Sequence, residues 1–263
     1  MRNLLIRQPA GLGDIFFSQK LVKSMIHHNK CDVIWPVIPQ YSYISDYFYF
    51  QYIHYLSMDS EEFREDYEWD FNLIRKGDII TNRNITPKPE DQLLKNVYMG
   101  IGLDGMNLPN FGVMTSKYEF FRQTWNDWSN YFSFKRNWKK EEELYYFILG
   151  LKDNEEYIVI NRKIGSPGHE SYWNYCFPTN KKVIEIKEYP NITVFDWCKV
   201  LENASEFHIM ETCFCYIIEI LETKENEYVM YHRSPTNSNN FKELTKIYSK
   251  PKKHVGAECI TKV

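Results

Sequence analysis

Short apolar runs with polar ends alternate along this chain with amphipathic stretches, and the first of them sets the pattern. Asn3 to Arg7 predicts a strand and Gln8-Pro9-Ala10-Gly11-Leu12-Gly13-Asp14 a glycine-rich turn. Ile15 to His28 predicts a helix, because Phe17, Leu21 and Met25, with Val22 and Ile26 beside them, recur at i, i+4 spacings on one broad face. Cys31 to Trp35 predicts a second strand that ends at Pro36, so the opening is a βαβ unit of the doubly wound kind. Asp70 to Ile74 and Asp78 to Thr81 then read as short strands and Gln92 to Ile101 as a helix. The aromatic and charged stretch from Phe120 to Leu151 reads as helices leading to a junction.

A second α/β rhythm starts with a strand at Glu156 to Asn161. It continues with a strand at Lys182 to Ile186, a helix at Val194 to Asn203 capped by Thr193, a strand at Glu206 to Met210, and an apolar helix at Thr212 to Glu222. Tyr228 to His232 reads as the last strand, and the segment from Asn240 as a helix followed by a basic tail. The predicted fold class is α/β, in a compact version with two Rossmann-like domains facing a cleft: 1–150, and 151–263 with the C-terminal helix and tail. No internal repeat at a solenoid period is visible.

At about 100 to 200 residues per domain, 263 residues accommodate that plan. The balance of 32 Lys+Arg against 35 Asp+Glu, net −3, with 43% hydrophobic residues, is globular and argues against bulk nucleic acid as main partner. Aromatics stand out at 17%, yet no apolar run reaches the roughly 18 residues a transmembrane helix needs. The start, Met1 to Arg7, falls short of a signal-peptide core of about 7 to 15 residues and reads as a mature N-terminus. Six scattered cysteines without a C-x-x-C pair read as reduced thiols, and the expected location is cytoplasmic. Cys213-Phe214-Cys215 reads as buried small hydrophobes, with a redox or metal pair as the alternative. Abundant Lys, Asn, Ile and Tyr point to an AT-rich genome, such as that of a phage, a virus or a low-GC bacterium.

Gly11-Leu12-Gly13-Asp14 falls at the carboxyl end of a strand and the amino end of the next helix, where parallel sheets place ligands. Phe16 occupies the third glycine's place of G-x-G-x-x-G, which disfavours a nicotinamide or flavin enzyme, and no P-loop is present. Asp14 either caps the helix or stands over a cleft as a carboxylate able to take a proton. Arg162-Lys163 follows the first strand of the second half and reads by itself as an exposed loop. Glu211-Thr212 lies between strand and helix, so Thr212 is an N-cap or a phosphate contact, and Glu211 is solvated or meets a ribose. His208 sits mid-strand as a core histidine or a ligand, His169 lies on a loop, and His232-Arg233 end a strand where they could meet a phosphate or acceptor. No Asp-x-Asp occurs, which favours metal-independent chemistry, and no G-x-S-x-G elbow supports a hydrolase.

Leu5 to Ile15, with its Gly13-Asp14 turn, resembles the opening of the heptosyltransferase-like glycosyltransferases of the GT-B fold. Phe195 to Ala204, the strand to Met210 and Glu211 to Tyr216 resemble the stretch in which that fold binds the donor nucleotide. Cys213-Phe214-Cys215 stands where the family has a small glycine-rich segment. The resemblance implies sugar transfer from a nucleotide-sugar donor, with inversion, in a cleft between the two domains. It implies Asp14 as general base and Arg162 and Lys163 on the donor diphosphate. The full candidate donor set is Gly11, Gly13, Arg162, Lys163, His208, Glu211, Thr212, Cys213, His232 and Arg233. No cofactor beyond the donor and no metal ligand is expected. The acceptor is a surface glycan or a hydroxymethylated DNA base, the Lys135 to Lys140 and Lys250 to Lys253 patches suiting a polyanion. The alternative is a non-catalytic nucleotide- or glycan-binding module with the same shell.

Overall fold

The computed structural model describes residues 3–81, 93–106, 108–165, 171–174, 179–225, 227–259 and 261–262. His169 and Cys176 lie outside them. The chain divides into two compact units, Met1–Phe134 and Lys135–Val263.

The first unit runs β1 (Asn3–Arg7), α1 (Leu12–Phe17), α2 (Gln19–Asn29), β2 (Asp32–Val37), α3 (Ile44–Tyr47), β3 (Ile53–Ser57), α4 (Glu68–Leu73), β4 (Ile79–Thr81), β5 (Met99–Gly102) and α5 (Val113–Phe120). Its sheet has the order β3-β2-β1-β5-β4, parallel except for β4. Leu4, Leu5 and Ile6 have no exposed surface, as a central strand covered on both faces requires. The helix expected over Ile15 to His28 is two, broken at Ser18, and the first starts earlier because Gly11 turns the chain into it. β2 does not stop at Pro36. Val33 and Val37 make their backbone bonds toward β3, which leaves Pro36 facing β1 beyond the last registered pair, Leu5 with Ile34.

Two expectations in this unit fail for one reason. Residues 70–74 are not a strand but the end of a helical stretch, a π-type turn at Phe63–Tyr67 running into α4. Phe63, Tyr67, Phe71 and Ile74 share one face and pack with Leu5, Ile34, Leu94 and Val97 as a core. That placement buries Asp70 completely, and its carboxylate accepts the backbone N–H groups of Lys95 (2.6 Å), Asn96 (2.7 Å) and Val97 (3.1 Å). Those donors are therefore not spent on the helix expected over 92–101. Residues 93–97 are irregular, and β5 follows.

The second unit opens with α6 (Trp138–Glu142), continued by a π-type turn over Glu143–Ile148. Then come β6 (Tyr157–Asn161), β7 (Lys163–Ile164), β8 (Ser171–Asn174), β9 (Lys182–Glu185), α7 (Cys198–Asn203), β10 (Glu206–Met210), α8 (Cys213–Ile220), β11 (Glu227–Tyr231), α9 (Asn239–Ile247), β12 (Lys253–Val255) and β13 (Thr261–Lys262). The main sheet, β12-β11-β10-β6-β9, is parallel throughout, and β13-β8-β7 form a small antiparallel sheet. Thr193 and Asp196 form the capping box of the turn that leads into α7.

The division falls at residue 134, before the junction expected near 150, because 135–150 is anchored on the second unit. Arg136 forks between Glu141 and Glu202, buried Glu141 accepts the Lys199 N–H (3.1 Å), and Tyr145 packs on Tyr157. The expected last strand, β11, is likewise not last. The basic tail supplies the edge strand β12, which bonds to β11 and its ends: Lys252 N donates to Tyr228 O, and His232 N to Val255 O.

Each main sheet has one topological switch point, where connections leave in opposite directions: between β1 and β5 in the first, and between β6 and β10 in the second. Among the described residues no helix is long and apolar enough to cross a membrane.

Candidate active site

At the first switch point, β1 delivers the chain into the turn that carries Asp14. Gly11 adopts φ 79°, and a Cβ there would lie 2.6 Å from Asp14 Oδ2. Both backbone and space therefore demand glycine, so that the Asp14 carboxylate folds back over the turn. Gly13 is half-buried in the first turn of α1. Asp14 stands in the first turn of α1, past the N-cap residue Gly11. Its Oδ1 accepts from Nζ of Lys117 on α5, whose ammonium also donates to Gln8 Oε1 (2.8 Å). The Gln8 amide is held by its bond to Ala10 O (2.6 Å). Lys117 has 0% side-chain exposure and Asp14 30%, so the cation is interior and the carboxylate half-open. Beside them Arg7 pairs with Asp104, just past β5, and donates to Phe71 O (3.2 Å).

At the second switch point, Asn161 ends β6 and its amide donates to Thr212 Oγ1 (3.0 Å), tying the ends of β6 and β10 together. The Thr212 hydroxyl thus does not cap α8, although the residue holds the N-cap position. Glu211, just past β10, accepts from Arg233 Nη2 (2.9 Å). Burial works to raise its carboxyl, but the adjacent Arg233 and His232 outweigh that and hold it below its ordinary value. His232 is fully buried, with Nδ1 3.7 Å from Glu211 Oε2 and Nε2 bonded to His254 Nδ1 (2.8 Å). Burial, and next His232, pull His254 down to about 4. Glu211, His232 and Arg233 therefore come together, and His254 of the tail joins them.

Arg162 lies between β6 and β7 and lines a concavity of about 560 Å³ with Ile160, Asn174, Thr179, Lys187 and Tyr189. Lys163 turns to Glu188 (2.6 Å). Cys213 opens α8 beside Thr212, and burial pushes its thiol, like that of Cys215, up to about 12, so both are protonated at neutral pH. Among the described residues no three His, Cys, Asp or Glu side chains form a metal-ligand set. His208 stays within β10. Its Nδ1 bonds Tyr231 OH (3.1 Å) and burial lowers its basicity, the environment of a core histidine.

The residues missed in the sequence are Gln8, Lys117, Asn161, Lys187, Tyr189 and His254. Asn161 was open to discovery as the polar end of a buried strand. Lys117 carries no local signal, since Thr115 to Tyr118 are four successive buried residues on a short helix and show no period.

No protein-family model matches the sequence, and no curated protein matches it. Solved structures do. The crystal structure of glycosyl transferase family 9 from Veillonella parvula aligns over 98% of this chain and 86% of its own, with TM-score 0.54 and 10% identity. E. coli heptosyltransferase WaaC with ADP aligns over 98% of this chain and 92% of its own, with TM-score 0.42 and 10% identity. At 10% identity the first likeness speaks for the fold alone, and the fold of this chain is GT-B-like.

Proposed function

We infer that the protein is a glycosyltransferase that moves a sugar from a nucleotide-sugar donor to a hydroxyl of a glycan acceptor, with inversion and without a metal ion. The observation that carries this reading is Asp14: a carboxylate fixed by a glycine turn and a buried lysine at the switch point of a GT-B-type sheet, still 30% open. In the transfer, the acceptor hydroxyl gives its proton to Asp14 and its oxygen bonds to the anomeric carbon. The bond from that carbon to the diphosphate breaks, with its electron pair leaving on the phosphate. Arg162 and Arg233, with Lys163 next to Arg162 in sequence, supply the positive charge that the departing diphosphate requires. Thr212 and the start of α8 offer a phosphate contact, and Glu211, with His232 beside it, holds Arg233 in place. The concavity beside Arg162 is the space for the part of the donor next to the diphosphate.

The test is a melting-temperature screen against UDP, GDP, ADP, CMP and their sugars at millimolar concentration, with and without EDTA. Nucleotide release from the selected donor is then followed with glycan acceptors. A shift with one nucleotide that survives EDTA, and release that Asp14→Asn reduces to a small residual rate, support the reading. Binding without release identifies a binding module instead, and no shift with any nucleotide overturns both.

A further inference from the structure

A lysine with no exposed surface needs a reason, because its long stem ordinarily lets the ammonium reach water. Lys117 does not reach it, and its ammonium ends on Asp14 Oδ1 and Gln8 Oε1. We propose that Lys117 is the positioning residue of the transfer reaction: it holds Asp14 through Oδ1, so that Oδ2 is the oxygen that receives the acceptor proton. This rests on the reading of Asp14 as general base.

Three features make the hold directional. Gln8 is itself fixed on both sides, its amide N–H to Ala10 O (2.6 Å) and its backbone carbonyl to the indole N–H of Trp35 (3.1 Å), so the Lys117 ammonium has a rigid second anchor. Tyr118, the next residue on α5, donates its hydroxyl to Phe17 O (2.5 Å) at the end of α1. Two consecutive residues of α5 therefore grip the Asp14 side chain in the first turn of α1 and the backbone of its last residue, which fixes α5 and its lysine against that helix. Finally, the carboxylate's other oxygen lies over Gly11, where the missing Cβ gives it room. A lysine that merely filled space would do so as well as Met, with no polar atom to satisfy.

In the reaction Lys117 keeps its protons. The transferred proton goes from the acceptor hydroxyl to Asp14 Oδ2, and the electron pair freed at carbon leaves on the diphosphate. The residue therefore acts through geometry, and its loss should appear in kcat while donor binding at the second unit is untouched.

The experiment uses the full chain with the donor and acceptor found in the screen and compares Lys117→Met, Asp14→Asn and the double variant. Lys117→Met is expected to lower kcat roughly 10- to 100-fold, with the donor KM and donor-induced melting shift of the parent. Added to Asp14→Asn, it should change the residual rate less than about twofold, because the group it positions is gone. Gln8→Met keeps the ion pair and removes only the second anchor, so it should lower kcat less, and it serves where Lys117→Met does not fold. Parent-like kcat in Lys117→Met, or the same fold-loss with and without Asp14→Asn, overturns the positioning role. If Lys117→Met does not fold, parent-like kcat in Gln8→Met does so. Full turnover in Asp14→Asn, or none in the parent, overturns the general-base reading itself.

Discussion

The two switch points carry the same kind of pair in opposite orientations. In the first unit the cation is interior and the acid faces out: Lys117 has 0% exposure and Asp14 30%. In the second the acid is interior and the cation faces out: the Glu211 side chain is 11% exposed and that of Arg233 51%. Each half of the molecule thus presents one sign of charge and braces it from behind with the other. A carboxylate so presented is equipped to take a proton. A guanidinium so presented is equipped to meet an anion, and Arg162 beside a concavity adds to it. Two sheets of similar plan thus differ in the sign of charge that each presents at its switch point.

The reversal is broken most sharply by truncating the acids. Asp14→Ala leaves the Lys117 ammonium interior with only Gln8 as partner, and is expected to cost about 3 kcal/mol, the low end for breaking a buried pair because Asp14 is itself half-open. Glu211→Ala frees an Arg233 that already reaches water and should cost about 1 kcal/mol. Urea denaturation of both variants measures the difference, and equal costs would mean that the interior position of Lys117 has no energetic weight. Asp14→Asn keeps an oxygen for Lys117 to bond and is the cleaner variant for catalysis.

Next in size is Gly11→Ala. The new Cβ forces a non-glycine residue to φ 79° and displaces Asp14 Oδ2, at a cost of about 1 to 3 kcal/mol. Any turnover should fall with it, while nucleotide-induced stabilisation of the second unit persists. A Gly11→Ala protein with parent stability and rate would show that the turn does not set the carboxylate.

The strand, turn and helix around Gly11 to Asp14 were legible because every residue that sets them is local, and the same holds for the apolar strands β6, β10 and β11. What was not legible depends on partners that the topology supplies. Lys117 meets Asp14 across 103 positions. α4 read as a strand because a window opening at Asp70 omits Phe63 and Tyr67, the first two residues of its helical face. Segment 135–150 looked like the end of the first half because its acids and bases appear solvated in sequence, whereas Glu141 is fully buried under Arg136. The basic tail hid an edge strand, and with it His254.

That histidine gives the second unit an acid sensitivity. Unfolded histidine titrates near 6.5, and folded His254 near 4. Between those values the unfolded chain holds a proton that the folded one does not, so stability is full above pH 6.5 and is lost as pH falls toward 4. The loss should be on the order of 1 kcal/mol once screening by water is allowed for. His254→Gln should flatten the fall in melting temperature between pH 6.5 and 4.5. An unchanged pH dependence would place the acid sensitivity elsewhere.

The smallest effect expected is at the tie across the second switch point. Asn161→Ala removes the bond from its amide to Thr212 Oγ1 and the support it gives the Lys163 N–H (3.1 Å). The stability loss should be about 0.5 kcal/mol, the low end for one hydrogen bond, since Thr212 Oγ can turn to cap α8 once released. Because that tie aligns the ends of β6 and β10 where Arg162 and Glu211 stand, nucleotide binding should weaken by more than the stability loss alone explains. Thr212→Val, which also cuts the tie, should do the same. Nucleotide affinity unchanged in both, with the small stability loss present, would reduce the tie to a local brace. The cationic side of the comparison would then rest on Arg233 and Arg162 alone.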